Sequence, residues 1–551
     1  MSSLRAPGLG PIVGHTTDRT CRLWIQAPAP EDGKHAAEED RRTFGVLAVT
    51  ARAGVAIPPA ERPLFYFRLR REFDRTGTFV LGEEASLGGR GQPYPLTPDT
   101  EYRVRVASLA VDDAWDNDVC VASDLLAERL PAPSVWAAAI DSLPAEQCEA
   151  TFRTDPPLGA VGDSLAFLLG SCRYPGLLWK VKESDAIFGP MAAEVQTARH
   201  GARPRLVIMA GDQIYADTYH RLVPVGLADT HEEFTARYQA AFGSANMRRL
   251  LRSVPTYMIL DDHEIEDNWS QGRITGPGKK ILFNLAIGAY LSYQWSHGPR
   301  SFGRRLYYQF ASAGYPFFVL DTRTQRAVDE DSDDLEDNHL LGRPSLSPDE
   351  PNQLDILCDW LRDQQRDRGD APKFIVTASV FAPSHVASIK HDRARARSDS
   401  WPAFPATRRR LLRTIVDHGV QNVVFLAGDV HCAAVAQMWF TGPDVGHLRA
   451  YCVVSSAFYW PFPFADGDPA DFVHDSTDPR TRDSFAVSDA VTMDYRAWNF
   501  TQDDNFCRLT VDRANHRLIV EVIGRDGRPI TSRGPLRRPV DLTSNLDLAP
   551  W

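Results

Sequence analysis

Residues 204–217, reading PRLVIMAGDQIYAD, constrain the fold more than any other stretch of this chain. Leu206, Val207, Ile208 and Met209 form a short apolar run of the length a buried parallel strand needs. Gly211 ends the run, and Asp212 falls where the chain leaves the carboxyl end of that strand. Ligands bind beyond that edge in open α/β sheets, so a carboxylate delivered there faces a crevice. Tyr215 follows closely enough to reach the same point. Taken alone, Gly-Asp after a strand is most simply a polar turn. The pattern recurs, however. LAFLLGSCR ends a strand at Cys172, VPTYMILDDHEIEDNW at Asp262, YPFFVLDTR at Asp321 and NVVFLAGDVH at Asp429, with KFIVTASVF (Lys373–Phe381) as a further strand.

Four of these ends deliver metal-ligand types: Cys172, Asp212 with Tyr215, Asp262 with His263, and Asp429 with His431. Such residues are a poor way to finish a hydrophobic sheet and a good way to build a dinuclear metal site. Hard carboxylates suit Mg²⁺, Ca²⁺ or Mn²⁺, whereas a thiolate, a phenolate and an imidazole together suit iron. One carboxylate can bridge two cations about 3.5–4 Å apart, a spacing that binds a phosphate oxygen on each. Cys432, beside His431, alternates to the other face and reads as a packing residue.

At 551 residues the chain calls for at least two domains. Residues 1–157 read as β structure, with alternating runs from Cys21, Phe44, Phe65 and Thr100 bounded by turn residues. LTPDTEYRVRV, with Leu96, Pro98 and Tyr102, resembles the tyrosine corner of a fibronectin III-like sandwich. Residues 158–534 alternate strands with helices: Thr230 opens a capping-box pattern with Glu233, and residues 351–367 carry apolar positions at helical spacing. Residues 535–551 are Pro-rich and polar and are expected to form an extended arm. The acidic stretches 111–126 and 329–338 are expected to be surface insertions.

The net charge of -11 argues against a nucleic-acid-binding surface. No apolar run is long enough for a membrane helix. The N-terminus shows neither a basic segment with an apolar run behind it nor a twin arginine. The expectation is a cytoplasmic protein, unless a leader has been removed. The eight cysteines are scattered without a CxxC pair, which excludes a zinc ribbon and a disulfide framework. Oligomeric state is not legible.

The set GSC, GDxxY, DDHExxDNW, LDTR and GDVH, in that order at strand ends, resembles the alkaline phosphatase D (PhoD-like) family of calcineurin-like metallophosphoesterases. DSWPAFPATRRRLL (Asp399–Leu412) resembles a further segment of that family. The resemblance implies a four-layer α/β sandwich behind an N-terminal all-β, fibronectin III-like sandwich. It implies Fe³⁺ held by Cys172, Asp212, Tyr215 and His431. It implies Ca²⁺, or another divalent cation such as Mn²⁺ or Mg²⁺, held by Asp212, Asp262 and Asp429. His263 would then face the substrate and stabilise or protonate the leaving oxygen, with Glu264 fixing its tautomer, and Arg173 and Arg323 are candidates to hold phosphate. Asn268, Asp399 and Trp401 would support outer ligands or a further calcium. His385 and His391 depart from the family pattern and are assigned no role.

The expected activity is hydrolysis of small phosphate esters, first an alkaline phosphomonoesterase. Phosphodiester hydrolysis of the phospholipase D kind is the near alternative. A catalytically silent binding module is remote, because every ligand position holds a competent residue. A dinucleotide-binding enzyme is weaker still, since no GxGxxG follows any strand.

Overall fold

The structure is a computed structural model. It describes every residue except 1–3, 30–41, 90, 112–120, 161, 163, 177–181, 218–225, 302–304, 329–333, 346, 348–349, 391–397, 463–466 and 534–537. His391, residues 112–120 of the first acidic insertion and residues 329–333 of the second lie outside the described residues.

Two sheets face each other at the centre. The first has the order Thr256–Met258, Pro204–Met209, Ser164–Gly170, Asn505–Asp512, Arg517–Gly524, Thr543–Asp547. Its first three strands are mutually parallel. In the second sheet, Tyr315–Val319, Lys373–Thr377, Val423–Ala427 and Arg449–Val454 run parallel side by side. Their apolar runs are continuous because both faces of each sheet are covered. Leu206 and Ile208 point into the core between the sheets, against residues such as Phe317, Phe374 and Leu426. Val207 and Met209 point outward, under helices His231–Phe242 and Pro277–Tyr293. Helices Gln353–Arg368 and Pro405–Asp417 cover the other sheet. The result is the expected four-layer order of helix, sheet, sheet and helix. Thr230 caps its helix by accepting from the Glu233 amide at 3.2 Å, as the sequence pattern requires.

Residues 4–153 form an all-β sandwich of a six-stranded and a three-stranded sheet. Tyr102 is buried in its core, and its hydroxyl accepts from the Thr97 amide at 2.8 Å, which closes the corner. The sandwich also packs on the α/β part. Leu9, Ile12 and Trp24 belong to the outer core of the first central sheet, and Trp24 Nε1 donates to the Ser292 carbonyl at 2.8 Å.

The tail docks on the α/β part. Thr543–Asp547 pairs antiparallel with Arg517–Gly524 as the edge strand of the first sheet. Leu542, Leu546 and Leu548 fill the core between the sheets, which fixes the segment despite its polar sequence.

Candidate metal centre

The parallel strands of both sheets end at one edge, and the turns beyond them converge. Cys172, Asp212, Asp429 and His431 each leave their strand in left-handed backbone, with φ of 57°, 56°, 76° and 51°. Glycine precedes both aspartates for a steric reason. A Cβ on Gly211 would lie 2.5 Å from that of Asp261, and one on Gly428 would lie 2.5 Å from Ser171 Oγ. Only a hydrogen side chain lets the turns cross this closely.

Two groups of donors meet at Asp212. On one side, Cys172 Sγ lies 3.3 Å from Asp212 Oδ2, the Tyr215 hydroxyl lies 3.4 Å from the same oxygen, and His431 Nε2 lies 3.5 Å from that hydroxyl. On the other side, ligand oxygens of Asp212, Asp261, Asp262 and Asp429 all fall within 4.8 Å of one another. Asp261 was not singled out in the sequence, although it is the first residue of the DDHE motif. Asp212 Oδ1 and Asp261 Oδ2 are buried and make no hydrogen bond.

The electrostatics match that geometry. Burial, then Cys172 and the neighbouring carboxylates, push Asp212 well above the ordinary carboxylate range. Burial and Asp399 do the same to Asp429, and burial lifts Asp261 to about 7. Burial raises the Cys172 thiol to about 12, and Tyr215 also rises well above an ordinary phenol. Positive charge brought among these groups would favour their ionised forms, as Arg323 already does for Asp261 and Asp262. Orphaned buried oxygens and a thiol–phenol–imidazole set beside carboxylates therefore fit cations, hard on the carboxylate side and softer on the other.

A cleft of about 380 Å³ opens over these groups. Its lining includes Asp217, Asp262, Asp267, Asp399, Asp429 and Asp471, and no arginine or lysine among the described residues. Two clefts elsewhere are larger, but neither contains a set of metal-ligand residues. Trp460 stacks on His431 at 3.6 Å and, with Tyr174, forms an aromatic wall.

His263 lines the cleft, stacked on Tyr215 at 4.2 Å. Its Nδ1 donates to Asp217 Oδ1 at 2.7 Å, and Asp217 Oδ2 accepts from the Asp267 amide at 2.7 Å. Burial alone would lower the imidazole, but Asp217 and Asp262 outweigh it and raise His263 to about 10. The expected partner, Glu264, lies elsewhere. Its carboxylate accepts from the amides of Gln213 (2.7 Å), Asp261 (2.9 Å) and Asp212 (3.2 Å) and from Gln294 Nε2 (3.0 Å). Glu264 thus ties two ligand turns together, and Asp217 orients the histidine. Asp217 lies within residues 204–217, but nothing in a sequence shows that its side chain meets His263.

Both arginines expected to hold phosphate do something else. Arg173 turns away from the cleft, donating to the Ser184 carbonyl at 3.2 Å and Ser244 Oγ at 3.1 Å over the Phe188 ring. The left-handed turn at Cys172 breaks strand alternation and sends the next side chain to the opposite side. Arg323 is fully buried and ion-paired with Asp261, with Asp399 (3.0 Å), Asp262 (3.4 Å) and Asp429 (3.6 Å). Trp401 is a packing residue: it is buried against Phe381 and donates to Thr377 Oγ1 at 3.2 Å. Asp399 lines the cleft, and Asn268 gives its amide to Asp262 there. His385 also lines it, with Nδ1 accepting from the Ala387 amide at 3.2 Å.

A PhoD-like phosphatase family model matches residues 179–456. The chain is 26% identical over 258 residues to alkaline phosphatase D of Bacillus subtilis (strain 168), a stretch covering 43% of this chain and 43% of that protein. The match therefore spans less than half the length of that relative. A solved structure of PhoD superposes with a TM-score of 0.60 at 16% identity, covering 98% of this chain and 89% of that one, which establishes the shared fold. The fold, the convergent strand ends and these matches agree: the chain belongs to the PhoD-like phosphatase family.

Proposed function

We propose that this chain is a metal-dependent phosphoric ester hydrolase, an alkaline phosphomonoesterase in the first instance. The observation that carries the proposal is the donor set meeting at Asp212, under a cleft that offers a phosphate no arginine or lysine among the described residues. An anionic ester has no reason to enter a pocket of aspartates unless cations neutralise them. Cys172, Asp212, Tyr215 and His431 would hold Fe³⁺. Asp212, Asp262 and Asp429, joined by Asp261, would hold a harder divalent ion such as Ca²⁺. Cations bound there supply Lewis acidity toward the phosphoryl group.

The chain itself supplies the proton. His263 is held cationic by Asp217 and faces the cleft, so it can give its proton to the departing alcohol oxygen. The Asp217 contact keeps Nδ1–H in place afterwards, leaving the other ring nitrogen as the exchangeable position. Trp460 and Tyr174 present apolar surface to the rest of the substrate.

The test is metal analysis and a visible spectrum of protein purified without chelator, beside Cys172→Ser. About one iron per chain, with a charge-transfer band that shifts in the variant, is the expected result. Absence of iron and of the band would sink the assignment of Cys172 and Tyr215. Assays on mono- and diester substrates then decide between the two hydrolytic activities.

A further inference from the structure

The three parallel strands that deliver Cys172, Asp212 and Asp262 also share a lower edge. Ser164 and Pro204, which open two of them, and Pro255, which precedes the third, line a cleft of about 620 Å³ against the N-terminal sandwich. This cleft lies at the opposite ends of the strands from the metal centre. It is lined by Arg103, Arg153, Arg203, Arg205, Arg249 and Arg252, against only Glu101 and Glu149, on a chain whose net charge is -11.

Some of these cations are already engaged. Asp99 holds Arg153 and Arg205 at 2.9 Å each, Arg103 lies 3.5 Å from Glu149, and Arg252 donates to the Ala145 carbonyl at 3.0 Å. Others are not. Arg203 and Arg249 are exposed, and neither side chain makes an ion pair or hydrogen bond among the described residues. Arg205 Nη1 is buried and makes no hydrogen bond, with Asp155 at 4.0 Å. Guanidinium groups without lysines form planar forks suited to oxyanions. Like charges gathered in a concave wall also raise the local concentration of anions.

We propose that this cleft binds a phosphate-class anion, at a site separate from the metal centre and spanning the sandwich and the α/β part. The proposal does not depend on the hydrolytic reading. The ligand could be orthophosphate released by a hydrolase or a chained phosphate, and the chemistry that recognises them is the same.

Calorimetric titration with orthophosphate and with tripolyphosphate tests this, on the parent, on Arg203→Gln/Arg249→Gln, on Arg203→Glu/Arg249→Glu and on Asp429→Asn. Chelation of ions from the metal centre is common to the parent and the arginine variants and drops out of that comparison. Both arginines are exposed and unpaired, so these variants should melt like the parent without ligand. The expected result is a binding component retained in Asp429→Asn, weakened about tenfold or more in the charge-reversed variant and less in the neutral one. That component should also weaken with added salt, and the arginine variants should keep their kcat on a small phosphate ester. Tighter binding of tripolyphosphate would identify a chained ligand, and equal binding a single phosphate. Equal affinity in the parent and both arginine variants, or loss of all binding in Asp429→Asn, would overturn the proposal.

Discussion

Asn268 (φ 57°) joins Cys172, Asp212, Asp429 and His431 in holding left-handed backbone without being glycine. Each such residue costs about 1–2 kcal/mol, so the surrounding packing must over-determine all of them. The same feature limits what a sequence reveals. Strand alternation locates the last apolar residue, and so Cys172, Asp212, Asp262, Asp429 and His431 were legible as a group. Past a left-handed turn alternation no longer holds, which is why Arg173 was misread, whereas Arg323 and the Asp217–His263 contact depend on tertiary packing that no strand pattern encodes. The histidine pair yields a prediction. His263 rises from 6.5 to about 10, so its protonated form persists above neutral pH and is lost as pH climbs through the higher value. Asp217→Asn removes the largest upward influence. The alkaline limb of kcat should then move toward lower pH by at least about one unit, with kcat down about tenfold to a hundredfold. A pH–rate profile measures both, and an unmoved limb would exclude His263 as the proton donor.

At the scale of elements, the Gly428 turn is a point where the second sheet closely approaches the first. A methyl group on Gly428 would meet Ser171 Oγ at 2.5 Å and the Ala210 carbonyl at 2.6 Å, and backbone has little room to retreat. Gly428→Ala should therefore destabilise the fold by about 1–3 kcal/mol in denaturant titration and lower bound metal in elemental analysis, although it changes no ligand. Long apolar strands and capped helices were read from periodicity because burial on both faces leaves a strong pattern. The edge strand Thr543–Asp547 left none. TSNLD resembles a loop, and only the open edge of Arg517–Gly524 and the leucines flanking it decide its state.

At the scale of the molecule, the donor set draws on both sheets: Cys172, Asp212, Asp261 and Asp262 from one, Asp429 and His431 from the other. Ions bound among them would clamp the two sheets at that edge. Removing a cation present at a hundred times its Kd should lower stability by about 3 kcal/mol, seen as a fall in Tm on adding chelator. Arg323 spans the same seam, reaching from the second sheet to Asp261 and Asp262 of the first while also pairing with Asp429. Arg323→Met should cost about 3–5 kcal/mol in the chelated protein, because it leaves buried carboxylates unopposed, and distinctly less in the metal-loaded one. Equal losses in the two forms would separate the arginine from the metal centre. A guanidinium is a counter-ion that cannot be chelated or diluted away. With one built into the seam, part of the carboxylate charge gathered there is countered whether or not an ion is bound.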